Sequence, residues 1–269
     1  MTDSFKNILV PVDFTQNTEV AIYKTLEVID DENPAIHLLH VIRPSKKDTH
    51  SEYEKKLNEW KETIEDYYPS VLVQLWTEES VSVQSAIKQK AEQINADLIV
   101  IGQSSSHNWL PVLKTVLPMR LAATTHIPVL TVKPGALHSK AKTVVVPVAD
   151  DIPDIKIRAL ELLCKKTKMN IHLIAFANDR NGLPEVSASA LLKAYQWLKT
   201  KLHCSVEYAV MPGPNKAKSI LQYAEKHNAD ILLVYPKKET QLAWWNQHIS
   251  DVLPAHSKMQ VLAVQPTDH

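Results

Sequence analysis

The residues best placed to do chemistry stand at the ends of apolar runs. Ala96-Asp-Leu-Ile-Val-Ile-Gly102 empties into Gln103-Ser-Ser-Ser-His-Asn108, a group of hydroxyls and one imidazole. Such side chains receive a phosphate or small anion through their own donors. A polar, solvated loop is the plainer account, and it is favoured because no Lys or Arg follows until Lys114. Asp13, which closes Lys6-Asn-Ile-Leu-Val-Pro-Val-Asp13, is the second candidate. A strand-end Asp can face a ligand, but more often it caps a helix or a turn, and the structural role is favoured here. Twelve histidines invite a metal, yet no HxxxH, HExxH or Cys/His cluster occurs, so no metal ligands are assigned. His37 and His172 lie inside apolar runs and read as satisfied strand histidines, while His248 and His256 are too far apart to pair. The two cysteines, Cys164 and Cys204, lack metal or redox spacing and read as free, mostly buried thiols. No nucleophile elbow, Walker loop or pyrophosphatase-type loop is present, so no catalytic residues are assigned and no enzyme is expected.

Composition narrows the setting. Lys plus Arg equals Asp plus Glu at 30 each, so no overall field favours nucleic acid or an anionic membrane. No run reaches the length of a membrane span and the start lacks a secretory core, which together imply a soluble, cytoplasmic chain. With 269 residues, 45% of them apolar, the chain can bury two cores. Four glycines against sixteen prolines leave few positions where bare backbone could approach a phosphate.

The elements that must position these residues come twice. Thr143-Val-Val-Val-Pro-Val-Ala-Asp150 repeats the opening run 136 positions later. Pro11 and Pro147 lack an amide proton and should sit where a strand ladder ends. Ile22, Leu26, Ile29 and Ile155, Ala159, Leu162 share helical spacing, and further apolar runs begin at Ile36 and Ile171. Helices are predicted over 51–67 and 187–202, and strands over 71–76 and 206–210. On the first of these helices Tyr53, Leu57, Trp60 and Ile64 form one face, read as core packing or a domain contact. Ile87, Ala91, Ala96 and Asp97 recur as Ile220, Ala224, Ala229 and Asp230 at a constant offset of 133. Each half then closes with a fourth strand, a last helix and a fifth strand. Alternating strands and helices with continuously apolar strands imply a parallel sheet covered on both faces. The expected fold is therefore α/β and Rossmann-like: two tandem five-stranded parallel sheets flanked by helices. Lys133-Pro-Gly-Ala-Leu-His-Ser-Lys-Ala-Lys142 is the linker, and the boundary falls near Leu137, giving domains 1–136 and 137–269.

Ile-Leu-Val-Pro-Val-Asp13, the Ile…Ala…Ala-Asp-Leu-Ile-Val-Ile-Gly102 unit and Arg120…Pro128-Val-Leu-Thr-Val resemble the universal stress protein A family, here as a tandem of two such domains. The resemblance implies the adenine nucleotide alpha hydrolase-like sheet with helices on both faces, a role in stress adaptation, and ATP binding in many members. It also implies dimerisation through last strands, so Val129 to Val132 and residues 261–264 would pair within one chain as a pseudo-dimer, with a further homodimer open. ATP-binding relatives carry Gly, two residues, Gly, nine residues, then Gly and Ser or Thr after the fourth strand. Here the first place is Gly102, the second is Ser105, and the last pair is Thr115-Val116. In the second half Tyr235 and Lys238 take the first two places, and the third falls near His248 or Asp251. A Cβ where φ > 0 is needed costs about 1 kcal/mol or more, so the loop must take another shape.

By the same resemblance Asp13 stands near the adenosine and Val41 offers its backbone to the adenine, whereas the second half has Asp150 shifted by one and Phe176 in place of valine. The first half thus retains an ATP site of Asp13, Val41, Gly102, Ser104 and Ser105 at most, and no cofactor is expected. Trp244 and Trp245, where the second phosphate loop would be, either offer a partner an apolar patch or plug the vacated cleft; the plug is favoured. The expected function is binding of a partner or small ligand in stress adaptation, without catalysis. The alternative is an ATP-binding switch or slow ATPase using only the first domain.

Overall fold

A computed structural model of the chain describes residues 5–29, 33–44, 50–103, 113, 116–148, 152, 154–176, 188–202, 204–211, 216–236, 241–242, 247–249, 253–254 and 256–266. Its first half runs β1 (Asn7–Val12), α1 (Gln16–Val28), β2 (Ala35–Ile42), α2 (His50–Tyr67), β3 (Leu72–Glu79), α3 (Val83–Gln93), β4 (Leu98–Gly102), α4 (Pro118–Thr125) and β5 (Val129–Val132). A 3-10 turn at Pro134–Ala136 leads to β6 (Thr143–Pro147), α5 (Asp154–Lys166), β7 (Asn170–Phe176), α6 (Ala188–Leu202), β8 (Ser205–Met211), α7 (Lys216–Lys226) and β9 (Ile231–Val234). The remaining strands are β10 (Gln241–Leu242), β11 (Gln247–His248) and β12 (Gln260–Ala263).

The two expected sheets are one. The order is β3-β2-β1-β4-β5-β12-β9-β6-β7-β8, ten strands with parallel pairing inside each half. The halves join where β5 meets β12 antiparallel, with Val129 opposite Ala263, Leu130 opposite Leu262 and Thr131 opposite Val261. The last strands therefore pair within the chain as the resemblance implied. That pairing covers two ladder edges that would otherwise stand open, and it merges the two five-stranded sheets expected from the sequence into one. Helices α1, α2, α5 and α6 cover one face and α3, α4 and α7 the other, so alternate strand residues enter two cores. Along β1, for example, Ile8, Val10 and Val12 face α1 and α2 while Leu9 faces α3.

Between β9 and β12 the described residues include β10 and β11 as an antiparallel pair, Gln241 opposite His248 and Leu242 opposite Gln247, followed by Ile249 in helical conformation. Most of the stretch where the last helix is expected lies outside the described residues. Residues 243–246, which include Trp244 and Trp245, lie outside the described residues, so neither the plug nor the partner patch is placed.

Two symmetric devices start the halves. The Asp97 Oδ2 atom accepts from the backbone amides of Lys6 (3.1 Å) and Asn7 (2.9 Å), and Asp230 Oδ2 accepts from Lys142 (2.9 Å) and Thr143 (3.0 Å). The Ala-Asp pair that repeats in the sequence is thus a clamp on the first residues of β1 and β6. Hydrogen bonds to an ionised acceptor contribute about 1.5–3 kcal/mol each. The aromatic stripe of α2 is core packing: Leu57 and Ile64 are buried, and Trp60 packs beside them. Cys164 and Cys204 are free, with the Cys204 thiol donating to Cys164 Sγ at 3.2 Å. Burial and that shared contact push the Cys164 thiol well above its ordinary pKa. No helix among the described residues is long and apolar enough to cross a membrane.

Candidate functional site

In a doubly wound sheet a ligand crevice opens beyond the strand C-termini where strand order reverses, and here that point in the first half lies between β1 and β4. The two strands pair only at Ile8 with Leu98 and Leu9 with Ile99. Pro11 then has no amide to extend the ladder, so the strands part. Counting along the registers places Asp13 beside Val41 on one side and Gln103 on the other. The fold therefore brings Asp13, Val41 and Gly102 to the rim of one crevice. Ser104 and Ser105 lie outside the described residues.

Asp13 is held largely as a turn-forming carboxylate. Its Oδ1 accepts from Thr15 Oγ1 (2.6 Å), Thr18 Oγ1 (2.8 Å) and the Thr15 amide (3.2 Å), and its own amide donates to Thr18 Oγ1 (3.1 Å). These bonds fasten the end of β1 to the first turn of α1, whose N-cap is Thr15. The other carboxylate oxygen, Oδ2, is buried without a partner among the described residues. Next in the chain, Phe14 adopts φ 58°, a left-handed conformation that costs a bulky residue about 1–2 kcal/mol. Its ring packs against Tyr53 (5.3 Å), His40 (4.7 Å) and Trp60 (5.4 Å). Aromatic pairs contribute about 0.5–1.5 kcal/mol each beyond area burial, enough together to offset the strain. His40 Nδ1 in turn donates to the Val12 carbonyl at 3.0 Å, securing the strand end from the β2 side.

Gly102 has a role that its sequence pattern does not reveal. A Cβ built there would meet the Asn17 carbonyl oxygen at 1.9 Å and its carbon at 2.4 Å. The glycine lets the first turn of α1 lie directly on the end of β4, and the space that backbone would offer a phosphate is taken by α1. Gln103 follows, its amide donating to the Val132 carbonyl at 2.9 Å and its Oε1 buried without a partner among the described residues. Val41 is buried at the end of β2.

The second half places other groups at the same point. Strands β6 and β9 pair only at Val144 with Ile231 and Val145 with Leu232, and Pro147 ends β6. The third residue of α5 is Lys156, 1% exposed, whose Nζ donates to the Pro147 carbonyl at 2.7 Å. The third residue of α1 is Thr18. Tyr235, in the place of Gly102, accepts at its hydroxyl from Gln265 Nε2 at 3.0 Å. Asp150, Lys238 and Asp251 lie outside the described residues.

Lys24, Lys90, Lys133 and Lys156 are each 3% exposed or less, and sequence reading did not single them out. The signal was there for Lys24 and Lys156, which fall on the apolar faces of α1 and α5. Lys90 donates to Glu78 (2.7 Å) and Gln93 (2.8 Å) and lies 3.9 Å above the Trp76 ring. His37 is buried beside them, and its Nδ1 accepts from the Trp76 indole at 3.2 Å. Because an indole only donates, the His37 proton sits on Nε2 when the ring is neutral. Burial, and next the Lys90 charge, hold the His37 pKa below its ordinary value. His172, its counterpart on β7, bonds the Tyr223 hydroxyl at 3.0 Å. Burial lowers its pKa too, with Glu207 opposing and His227 adding to the effect. Burial and Glu207 raise that of Tyr223. Both histidines are buried core groups, but only His172 is satisfied as expected; His37 Nε2 is buried without a partner among the described residues. Among the described residues no His, Cys, Asp and Glu side chains gather as a metal-binding group.

Fold and crevice define a doubly wound α/β protein duplicated about a central antiparallel seam. Residues 4–133 match the Universal stress protein family, so the first half of the chain is similar to it. The full length matches the crystal structure of a universal stress protein from Archaeoglobus fulgidus at TM-score 0.68 and 18% identity, covering 99% of both chains. A Pseudomonas aeruginosa protein of unknown function matches at TM-score 0.61 and 18% identity, over 98% of this chain and 94% of that one. The cytoplasmic domain of a prokaryotic cation chloride cotransporter matches at TM-score 0.54 and 12% identity, over 96% and 94%. At such identities the structures show the shared fold. No curated protein sequence is significantly similar.

Proposed function

We propose that this chain is a cytoplasmic stress-adaptation protein that binds a partner or small ligand without turnover, its nucleotide site largely degenerate. The division into domains 1–136 and 137–269 belongs to the same reading, with the Pro134–Ala136 turn between them. One observation carries it: the single glycine left from the phosphate-binding pattern is occupied by α1, whose Asn17 carbonyl stands 1.9 Å from where a Cβ would be. A triphosphate needs several bare amides converging on it, and residues 103–117 contain no glycine. In the second half Lys156 puts a buried ammonium on the strand end and Tyr235 adds a phenol, so no nucleotide is assigned there.

A second reading is favoured by a specific feature. Asp13 Oδ2 and Gln103 Oε1 are both buried acceptors without partners among the described residues, and they flank the same strand end. Ribose hydroxyls and an adenine amino group are donors that would satisfy them, so an ATP-binding switch confined to the first half is the alternative. Natively purified protein, denatured and examined by mass spectrometry, is expected to release no adenine nucleotide, and ATP with Mg²⁺ is expected to leave Tm unchanged. Released nucleotide, or a rise in Tm abolished by Asp13→Ala, would establish the second reading instead.

A further inference from the structure

The seam between the halves holds a cavity of about 240 Å³ that opens to solvent. Its floor is one aliphatic side chain from each of the four central strands: Leu98 of β4, Leu130 of β5, Leu262 of β12 and Ile231 of β9. The ends of α1 and α5 wall it, and linker residues Lys140 and Ala141 stand at its mouth. The duplication explains why space remains there. Ala141 lies 136 positions after Phe5, the spacing that relates Thr143 to Asn7, so the second copy places a methyl where the first places a ring. The linker wall is held from beneath by Lys24, whose buried ammonium donates to Glu27 at 2.9 Å and to the Ser139 carbonyl.

One polar group is built into this apolar space. Gln260 is 3% exposed and lines the cavity, and its backbone amide is used by the Asp230 carbonyl at 2.8 Å. Its side-chain amide has no hydrogen-bond partner among the described residues. The amide lines accessible space in the cavity, so a ligand group that both donates and accepts would pair with it in place of water. The charges around the space balance. Glu27 is neutralised by Lys24, and the two helix C-termini, which carry partial negative charge, stand against Lys140. Four aliphatic side chains cannot repay the desolvation of an ion.

We propose that this cavity is a binding site for an uncharged, mainly apolar molecule with one hydrogen-bonding group, which pairs with the Gln260 amide. At the roughly 30 Å³ that a water occupies in the liquid, the volume suits a ligand of about eight to ten non-hydrogen atoms. The site is separate from the Asp13 crevice, so the ATP experiment neither supports nor sinks it.

The test is isothermal titration of the full chain with octan-1-ol, octanoate and octylammonium. Octan-1-ol is expected to bind once per chain, at least tenfold more tightly than either ion. Ala141→Phe, which supplies the ring found at Phe5, is expected to abolish binding, and Gln260→Leu to weaken octan-1-ol severalfold while Tm holds. No one-site binding of the alcohol, equal binding of the ions, or binding unchanged in both variants would overturn the proposal. Should Ala141→Phe fail to fold, Gln260→Leu and the comparison of the three probes still decide it.

Discussion

The two halves share a sheet, a strand order and an aspartate clamp, yet they finish their first strands with opposite chemistry. At the end of β1 the third residue of α1 offers a hydroxyl to Asp13, and one carboxylate oxygen is buried without a partner among the described residues. At the end of β6 the third residue of α5 offers an ammonium directly to the Pro147 carbonyl. The first arrangement leaves acceptors facing a crevice, and the second fills the equivalent place with a side chain of its own. What duplication preserved is the means of starting and pairing strands. What diverged is whatever occupied the strand ends.

The sharpest break in that comparison is Gly102 against Tyr235. Gly102→Ala drives a Cβ to 1.9 Å from the Asn17 carbonyl, and backbone has no rotamer by which to yield. Overpacking costs typically 1–3 kcal/mol and more where backbone must move, so a loss of about 3 kcal/mol or more is expected in urea unfolding. Tyr235→Phe removes the bond to Gln265 and should cost about 1 kcal/mol. Equal effects would mean that α1 does not lie on β4 as described, and would reopen Gly102 as a ligand-facing glycine.

The next test bears on what the halves share. Asp97→Ala and Asp230→Ala each leave two amides without their carboxylate, and each is expected to cost about 2–3 kcal/mol. The two values should agree within about 1 kcal/mol, and a larger gap would show that the clamps are not equivalent. Lys258 lies 3.3 Å from Asp230 Oδ1, and its surface position adds only about 0–1 kcal/mol. Lys156→Met probes the divergent end. Replacing a buried cation by an apolar chain of similar length is often neutral or stabilising, so a change within about 1 kcal/mol is expected, whereas Lys156→Ala should cost about 2 kcal/mol through lost packing.

Much of this was legible in the residues. Period and offset gave the duplication, and the resemblance implied the pairing of last strands that β5 and β12 make. That this pairing fuses the halves into one sheet follows only once both ladders are laid side by side. The Asp97 clamp was visible as a repeated Ala-Asp pair, but not its purpose, because the amides it holds are 90 residues away in the chain. Gly102 matched a phosphate-loop position, and nothing local distinguishes a glycine that meets a ligand from one that meets a helix. The position of Lys156 on the apolar face of α5 signalled its burial, but not its purpose, because the Pro147 carbonyl it reaches is known only from the fold. The short pair of β10 and β11 was not legible, because the counterpart segment in the first half supplied the expectation for that stretch.

The smallest expected difference lies between the two strand histidines. Both are held neutral by burial, their pKa values below the ordinary 6.5. A histidine depressed in the folded state contributes stability that is complete above pH 6.5 and is lost as pH falls through the folded value, because the unfolded chain takes up the proton first. Stability should therefore decline below about pH 6.5, at no more than about 1.4 kcal/mol per pH unit for each ring. The charges facing them make the contributions unequal. His37 meets Lys90, which adds to its depression, while His172 meets Glu207, which opposes it, and His227, which reinforces it. Urea midpoints at pH 7.5 and 5.5 should thus show a flatter decline for His37→Gln, whose amide can still accept from Trp76, than for His172→Gln. A decline as steep in His37→Gln as in the unaltered protein would place the acid sensitivity elsewhere, and a flatter one in His172→Gln alone would mean that the second half, despite its Glu207, is the part that responds to acid.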